Sequence, residues 1–324
     1  MIKLDIIIPQ YKETDNEIKK TLDSIAIQRG IDFSMIRTII VNDASNVVLS
    51  LDLLNNYPFE IIYLKNKTNL GPGLTRQTAI DYSDAKYVLF LDADDLLFND
   101  ISLHVLLSCI EETNKKLVIT NFYAEAYDNN NKLYLKEYKD GNLYSALHAK
   151  IFDLNYLKEN NIRFSDKLRD FEDSYFMSIL YGTLKDEDVI KLDLFSYLWK
   201  SNLSSITRAN KNEYIILKFQ DFFNCPFLVY DFLNNYNSSF KNDYLINGLF
   251  GIFIMLNSGL FTDMNLKNKY SELFKEKLLQ YKNIFNNYKH NQLHKLFDNE
   301  YLLLSEASGF KKKLKYNDFM KVLN

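Results

Sequence analysis

Proline, glycine and cysteine are scarce in this sequence, and the chain carries little net charge. Its 324 residues include four prolines and nine glycines, which argues against disordered linkers between its elements. The formal net charge is −3, so there is no electrostatic case for binding nucleic acid. A basic segment followed by a long apolar one is missing at the N-terminus, which argues against a signal peptide.

The two cysteines, Cys109 and Cys225, form no Cys-x-x-Cys pair and lie in apolar surroundings. We therefore expect reduced, buried thiols and a cytoplasmic protein. Hydrophobic residues make up 47% of the chain and aromatic ones 15%. This composition supplies a large core, enough for one large domain or for a domain with an appendage.

One stretch combines a buried strand with three acids. Residues 87–91 are apolar or aromatic and lead directly into Asp92, Ala93, Asp94 and Asp95. Such a run is typical of a strand buried on both faces, and open α/β sheets bind ligands at the C-terminal ends of their strands. A divalent cation would relieve the repulsion between the three carboxylates. A solvated acidic turn that caps the next helix is the alternative.

The first 125 residues alternate between strand and helix patterns. Short apolar runs predict strands at 4–8, 38–41, 61–64, 87–91 and 117–120. Helical spacing predicts helices that begin near Thr14 or Asp15 and that span 74–82 and 102–113. This alternation predicts a mostly parallel sheet with right-handed crossovers.

The pattern changes after residue 125. Its elements are expected to be a hairpin at 127–138, helices at 150–160 and 171–180, a strand at 189–199, and helices from about 212 onward. We place a domain boundary near residue 210. Residues 1–210 would then form an α/β domain with halves 1–125 and 126–210, and residues 211–324 a helical region.

Four loops follow the first four predicted strands: residues 9–13, 42–45, 69–76 and 92–95. In a parallel sheet they open on the same edge, so we expect them to converge on one ligand. Gly71 and Gly73 would let the backbone approach a diphosphate, and Arg76 could neutralise it.

Other ligand motifs do not match. Gly71-Pro72-Gly73 lacks the third glycine of a dinucleotide fingerprint, and the chain has no Walker Lys-Ser/Thr. An EF-hand that began at Asp92 would have leucine at its glycine and bidentate positions. The four histidines are not grouped like a zinc site.

Four segments, in this order along the chain, resemble the GT-A glycosyltransferases of family 2. They are Ile-Ile-Ile-Pro-Gln-Tyr-Lys-Glu, Val-Asn-Asp-Ala-Ser, Asn-Leu-Gly-Pro-Gly-Leu-Thr-Arg-Gln and Leu-Asp-Ala-Asp-Asp. The resemblance covers residues 3–125 well, weakens over 140–208 and is absent beyond. It implies a Rossmann-like GT-A domain that binds a nucleotide sugar, and we expect an α-helical C-terminal appendage after it.

The resemblance also implies roles for single residues. The nucleotide sugar would be contacted by Pro9, Tyr11, Glu13, Asp43, Asn69, Gly71, Arg76, Asp92 and Ala93. Asp43 would read the uracil edge, although on its residue type alone it could cap a helix after Ser45. Arg76 would lie near the diphosphate, and Asp94 with Asp92 would bind Mn²⁺ or Mg²⁺. Asp95 would orient its neighbours.

A later segment, 161–176, resembles the part of the family that carries the catalytic base. By position that base is Asp173, with Asp170 and Glu172 as competitors. An acceptor hydroxyl is a poor nucleophile until a carboxylate accepts its proton. The alternative is an acidic first turn of a helix, which the helix dipole favours.

The segment after residue 196 lacks the histidine that completes the metal or diphosphate site in many relatives. Lys200 could supply charge there, and Asn202 or Ser205 could approach the metal. Trp199 could stack on a sugar or pack in the core.

Two C-terminal segments bear on partners. Residues 245–261 are nearly all apolar but too few to span a bilayer, so we expect a buried helix or one that forms a homo-oligomer. The basic segment that contains Lys311–Lys315 could rest peripherally on the inner face of the membrane, or form a solvated helix end.

The resemblance implies a metal-dependent, hexosyltransferase-type glycosyltransferase. It would move a sugar from a UDP-sugar to a hydroxyl of a glycan, glycolipid or protein, with inversion. A nucleotidyltransferase is one alternative, although no glycine-rich triphosphate loop follows the first strand. A catalytically inactive relative that binds glycans or partners is the other.

Overall fold

The computed structural model describes residues 2–128, 130–139, 146–201, 218–236, 238–261, 263–308 and 313–323. The chain divides into two compact units, Met1–Asn202 and Leu203–Asn324. The first contains a mixed α/β sheet and the second contains helices.

Along its described residues, the first unit contains β1 (Leu4–Gln10), α1 (Asp15–Ala26), β2 (Ile36–Asn42), α2 (Leu51–Leu54), β3 (Glu60–Lys65), α3 (Pro72–Tyr82), β4 (Tyr87–Phe90), β5 (Leu96–Leu97), α4 (Ser102–Thr113), β6 (Leu117–Tyr127), β7 (Leu133–Tyr138), β8 (Lys150–Asp153), α5 (Leu154–Glu159), α6 (Glu172–Thr183) and β9 (Val189–Trp199). Short 3₁₀ turns at Phe33–Met35 and Asp186–Asp188 precede β2 and β9.

The strands form one sheet in the order β3-β2-β1-β4-β8-β6-β9-β5, with β7 paired to β6. Neighbours among β3, β2, β1 and β4 are parallel, and β9 is parallel to β6. β8 is antiparallel to both β4 and β6. The predicted α/β sheet is therefore confirmed, with parallel pairing throughout β3, β2, β1 and β4. Beyond β4, antiparallel strands enter it: β8 next to β4, and β7 and β5 paired with β6 and β9.

The sequence-based assignment of residues 150–160 to one helix is wrong for its first four residues. Lys150–Asp153 forms β8, where Val88 of β4 is paired with Phe152. The helix begins only at Leu154, after Asp153 accepts a 3.0 Å hydrogen bond from the backbone N–H of Tyr156. A short apolar run fits either structure, and here pairing with two strands decides it.

The side of the sheet that leads to β4 is held by apolar burial. All four residues of β4 are buried, and so are all seven residues of β2. Helix α1 packs its Ile18, Leu22 and Ile25 into the same core, at the helical spacing read from the sequence. Its start is fixed by Thr14, whose backbone N–H donates to the Glu17 carboxylate at 2.8 Å. A rigid support therefore lies beneath the loop that follows β4.

The second unit contains α7 (Phe219–Leu233), α8 (Phe240–Asn257), α9 (Met264–Tyr281), α10 (His290–Ser308) and α11 (Tyr316–Leu323), with a 3₁₀ turn at Lys282–Asn287. Its core is aromatic: Phe250 of α8 packs edge-on against Phe297 and Phe319 at centroid distances of 5.3 and 4.8 Å. Most of the apolar segment expected at 245–261 lies in α8, where its members are buried, as predicted.

Two expectations for this unit concern membranes. Among the described residues, no helix has the length and apolar character needed to cross a bilayer. In the basic segment, residues 311 and 312 lie outside the described residues, Lys313 and Lys315 are exposed, and Leu314 and Tyr316 are buried in the unit's core. Peripheral membrane contact stays a prediction, and so does homo-oligomer formation.

Candidate active site

The four predicted loops are tied together at the C-terminal edge of the parallel strands. The carbonyl of Gln10, at the end of β1, accepts the backbone N–H of Asp43 at 2.8 Å. Asp43 accepts hydrogen bonds from the loop before α3, and Arg76 of α3 bonds to Asp92 after β4. The expected convergence on one region is therefore present.

The loop after β1 is organised by Glu13. Its carboxylate accepts the backbone N–H of Tyr11 at 2.8 Å and that of Lys12 at 3.2 Å. The Tyr11 side chain is exposed, while Pro9 lies within β1. An exposed aromatic ring on a fixed turn can stack on a base.

Asp43 is buried and uses both of its carboxylate oxygens within the protein. They accept the backbone N–H groups of Leu70 and Gly71, each at 2.8 Å, and the side-chain amide of Asn66 at 3.0 Å. The helix-cap alternative for Asp43 is wrong, because the next helix begins only at Leu51. Asp43 instead fixes the backbone that leads into α3.

Two glycines near the start of α3 have different structural roles. Gly71 has φ +85°, a conformation that favours glycine, and the neighbouring Asn69 accepts a hydrogen bond from Arg169. A Cβ on Gly73 would lie 2.8 Å from both Cβ and Cγ of Glu172. The small size of Gly73 therefore lets α3 approach α6. From the sequence, we expected it to let the backbone approach a diphosphate.

Arg76 joins the acid after β4 to the acids that begin α6. Its guanidinium lies 2.7 Å from Asp92, 3.1 Å from Asp173 and 3.4 Å from Glu172. The side chains of Arg76 and Glu172 are only 5% and 13% exposed, whereas those of Asp92 and Asp173 are 38% and 30% exposed. The two more exposed carboxylates can thus contact a ligand, while the nearly buried Arg76 holds them in place.

The charges in this cluster divide the acids into two kinds. Burial and the neighbouring Asp173 raise the pKa of Glu172, so this carboxyl holds its proton more readily. Burial also raises the pKa of Asp173, but the Arg76 guanidinium opposes that rise. Although burial disfavours its charge, Arg76 has a raised pKa because three acids surround it. Of the two acids that begin α6, Asp173 is therefore the more readily ionised, and an ionised carboxylate is what can accept a proton.

The loop that carries Ala93 and Asp94 is held by buried hydrogen bonds. The Thr21 hydroxyl of α1 donates to the carbonyls of Ala93 and Asp95 at 2.8 and 2.9 Å. The buried Asp95 carboxylate accepts from the Tyr197 hydroxyl at 2.6 Å and from the backbone N–H of Lys200 at 2.8 Å. Asp95 thus orients its neighbours, as predicted.

Among the described residues, no group of three or more His, Cys, Asp or Glu side chains is arranged to hold a metal ion. Asp92 and Asp94 do fit an ion that takes its other ligands from diphosphate and water, as Mg²⁺ commonly does. Burial, and then the charges of Asp92 and Asp94, raise the pKa of Asp95, which reflects excess negative charge in this loop. A bound cation would offset that charge.

Among the proposed substitutes for the missing histidine, Lys200 is the one within the described residues. The Lys200 ammonium lies 3.6 Å from the Glu125 carboxylate. Asn202 and Ser205 lie outside the described residues. Trp199 is half-buried against the core cluster of the first unit.

Two residues near the acids, one buried and one half-buried, were missed from the sequence. Lys150 of β8 is fully buried, and its Nζ donates to the Ala146 carbonyl at 2.7 Å. The His148 ring stacks on Tyr197 at a centroid distance of 4.8 Å, and burial lowers its pKa to about 3. Within the described part of the chain, His148 Nε2 has no hydrogen-bond partner. In the sequence, the indication available was a lysine within a short apolar run, and a lysine in that position belongs to no recognised motif.

Comparison with known proteins gives a family. A model of the family described as Glycosyl transferase family 2 matches residues 5–180. An uncharacterized glycosyltransferase of Methanocaldococcus jannaschii, MJ1057, is 32% identical over 96 residues, which are 29% of this chain and 32% of that protein. The aligned part of the chain thus spans about a third of that relative.

Two staphylococcal proteins align over more of the chain. The poly(ribitol-phosphate) β-N-acetylglucosaminyltransferase TarP of Staphylococcus aureus is 26% identical over 232 residues, which are 66% of this chain and 69% of TarP. The crystal structure of S. aureus TarS 1–349 in complex with UDP superposes with a TM-score of 0.67 and 18% identity, and covers 94% of this chain and 90% of TarS 1–349. The latter similarity concerns the fold.

Proposed function

The chain belongs to glycosyl transferase family 2, and we propose that it transfers a sugar from a UDP-sugar to an acceptor hydroxyl with inversion of the anomeric centre. The observation that carries the proposal is a pair of hydrogen bonds, which the Arg76 guanidinium donates to Asp92 and to Asp173. It brings the acid proposed for the donor and the acid proposed as base to one site. Family membership favours sugar transfer over nucleotidyl transfer.

Each acid has a separate task in this proposal. Asp92 faces the donor, and Asp173 accepts the proton of the acceptor hydroxyl as that oxygen attacks the sugar. In this proposal the base and the departing diphosphate act on opposite faces of the donor sugar. Attack from the side opposite the leaving group inverts the anomeric centre.

A divalent cation completes the donor site. Asp94 and Asp92 would hold Mn²⁺ or Mg²⁺, and the ion would offset negative charge that builds on the departing diphosphate. Exposed Tyr11 would stack on the base. Asp43 would act chiefly by fixing the loop at Gly71, since both of its oxygens are already bonded.

The donor and acceptor are proposed from TarP, whose name gives the transfer of N-acetylglucosamine to poly(ribitol-phosphate). UDP-N-acetylglucosamine is therefore the first donor to test, and a polyol-phosphate chain the first acceptor. The proposed site of action is the cytoplasm, where the region around Lys311–Lys315 would contact the inner membrane face.

Release of UDP from a panel of UDP-sugars, with Mn²⁺ or with EDTA, tests this function. The wild-type chain should release UDP from one donor, and EDTA or Asp94→Ala should abolish the release. Asp186→Ala, which removes an exposed acid from the turn before β9, should leave it unchanged. Absence of UDP binding by calorimetry, with no release from any donor and acceptor, would contradict the proposal.

A further inference from the structure

Arg169 is an exposed arginine that has no role yet in the proposed chemistry. Its guanidinium donates a hydrogen bond to the side-chain oxygen of Asn69, which lies 100 positions earlier in the chain. The Cγ of Arg169 lies 3.3 Å from the place that a Cβ on Gly71 would occupy. Arg169 therefore packs along residues 69–71, which we call the donor loop because this part of the chain is expected to contact the nucleotide sugar.

Asp43 and Arg169, which lie far apart along the chain, both bond to the donor loop. The Asp43 carboxylate accepts the backbone N–H groups of Leu70 and Gly71, and the Asp43 carbonyl accepts the side-chain N–H of Asn69 at 3.4 Å. The other end of the Asn69 amide, Oδ1, accepts the hydrogen bond from Arg169. The Asn69 amide thus joins Asp43 to Arg169.

Arg169 also begins the segment that leads to the proposed base, residues 169–173, which we call the base segment. Within it, Phe171 has φ +60°, a left-handed conformation that residues other than glycine rarely adopt. Such a conformation persists only where the surrounding structure holds it. Contacts at both ends of the segment do so here: Arg169 bonds to the donor loop, and Asp173 accepts a 3.1 Å hydrogen bond from Arg76 of α3.

Stability alone does not account for the bond between Arg169 and Asn69. The bond lies at the surface, where polar pairs contribute little to the free energy of unfolding. Its position is more informative, because it joins the loop expected to contact the donor to the segment that carries the base. Transfer needs these two parts of the site in a fixed geometry, since the acceptor oxygen must approach the sugar in line with the leaving group.

We propose that Arg169 is a positioning residue, which through its bond to Asn69 sets the distance between the donor and the catalytic base. This proposal rests on the proposed function, in which Asp173 is the base and the donor loop contacts the nucleotide sugar. Arg76 holds the Asp173 side chain, and Arg169 holds the start of the backbone that carries it. Arg169 acts through Asn69 and the base segment.

The kinetics of sugar transfer separate positioning from stability and from donor binding. Arg169→Met should lower kcat by about 10–100-fold, as expected when a reacting group is displaced. Its Tm should stay within about 2 °C of wild type because the contact is exposed, and its UDP affinity within a few-fold because Asp43 still holds the donor loop. Lys167→Met, which removes an exposed cation two positions earlier, should leave kcat unchanged. A lower Tm or weaker UDP binding with an unchanged kcat would overturn the proposal.

A double-mutant cycle shows whether Arg169 acts through Asn69. Asn69→Ala should lower kcat to a similar extent as Arg169→Met, because each change deletes the same contact. The variant that carries both changes should then be no slower than the slower single variant. Losses that multiply in the double variant would overturn the assignment of Asn69 as the partner through which Arg169 acts.

Hydrogen exchange of the full chain, followed by mass spectrometry, tests the contact without any activity. Arg169→Met should speed exchange both at the backbone N–H groups of Leu70 and Gly71 and in the base segment, because the two segments lose a shared restraint. Lys167→Met should change neither. Unchanged exchange at the donor loop in Arg169→Met would overturn the proposal. Absence of transfer by the wild type would contradict the proposed function, and hydrogen exchange would still decide whether Arg169 restrains both segments.

Discussion

Replacing Arg76 with methionine removes a cation that is bonded directly to three carboxylates. Methionine replaces the aliphatic part of the arginine side chain, so the change chiefly deletes the charged guanidinium. Loss of one partner from a buried ion pair costs about 3–5 kcal/mol. Asp92 and Asp173 are each about a third exposed and can regain water, so we expect the lower end of that range, about 3 kcal/mol.

Thermal denaturation at pH 8 measures this loss. For a unit of this size, 1 kcal/mol corresponds to about 2–4 °C, so Arg76→Met should lower Tm by about 6–12 °C. Arg163→Met is the matched control, because Arg163 donates twice to Asp81 at 2.8 Å while both side chains are about half exposed. That exposed pair should contribute about 0–1 kcal/mol. Equal losses in the two variants would refute the reasoning.

The loss should also depend on pH, with a defined sign. Arg76 opposes the rise in the pKa of Asp173, so its removal moves the folded-state pKa further above the unfolded value of about 3.9. The folded variant then binds more protons than the unfolded chain, and its stability rises as pH falls. The gap in Tm between wild type and Arg76→Met should be full at pH 8 and smaller at pH 5.5. A gap that stays constant would contradict the charge-based explanation.

Three further variants probe other contacts. Gly73→Ala should lower the free energy of unfolding by about 1–3 kcal/mol, since its Cβ would lie 2.8 Å from Glu172. An unchanged Tm in thermal denaturation would contradict that packing. Asp43→Asn should weaken UDP binding about tenfold by calorimetry, because an amide nitrogen cannot accept the loop's N–H groups; wild-type affinity would count against a loop-fixing role. Tyr197→Phe removes the hydroxyl that donates to Asp95 and should raise the Mn²⁺ concentration needed for half-maximal UDP release; an identical metal titration would contradict it.

Local patterns were enough to predict the elements that place the site. The apolar run just before Asp92 forms β4, as predicted. Helix α3 begins at Pro72, close to its predicted start. Each depends on features a few residues apart: burial on both faces for the strand, and the turn at Gly71 for the helix. Strand β9 was predicted with the same bounds as observed, Val189–Trp199.

The contacts between distant segments could not be predicted in this way. Arg76 lies 97 positions from Asp173 along the chain, and nothing in either segment shows that α3 packs against α6. Gly73 makes that approach possible, yet a glycine in a loop suggests a ligand equally well. Lys150 was hidden for a related reason, because a strand of four residues inserted between β4 and β6 has too short a pattern to identify.

The most direct test of the account is the effect of Asp173→Asn on binding and on transfer, measured separately. Asparagine keeps the shape of the side chain but cannot accept the hydroxyl proton, so transfer should fall by about 10²–10⁴-fold. UDP binding by calorimetry should stay within a few-fold of wild type, since the donor is assigned to Asp92 and Asp94 and not to Asp173. A variant that transfers sugar at near the wild-type rate would contradict the assignment of Asp173 as the base.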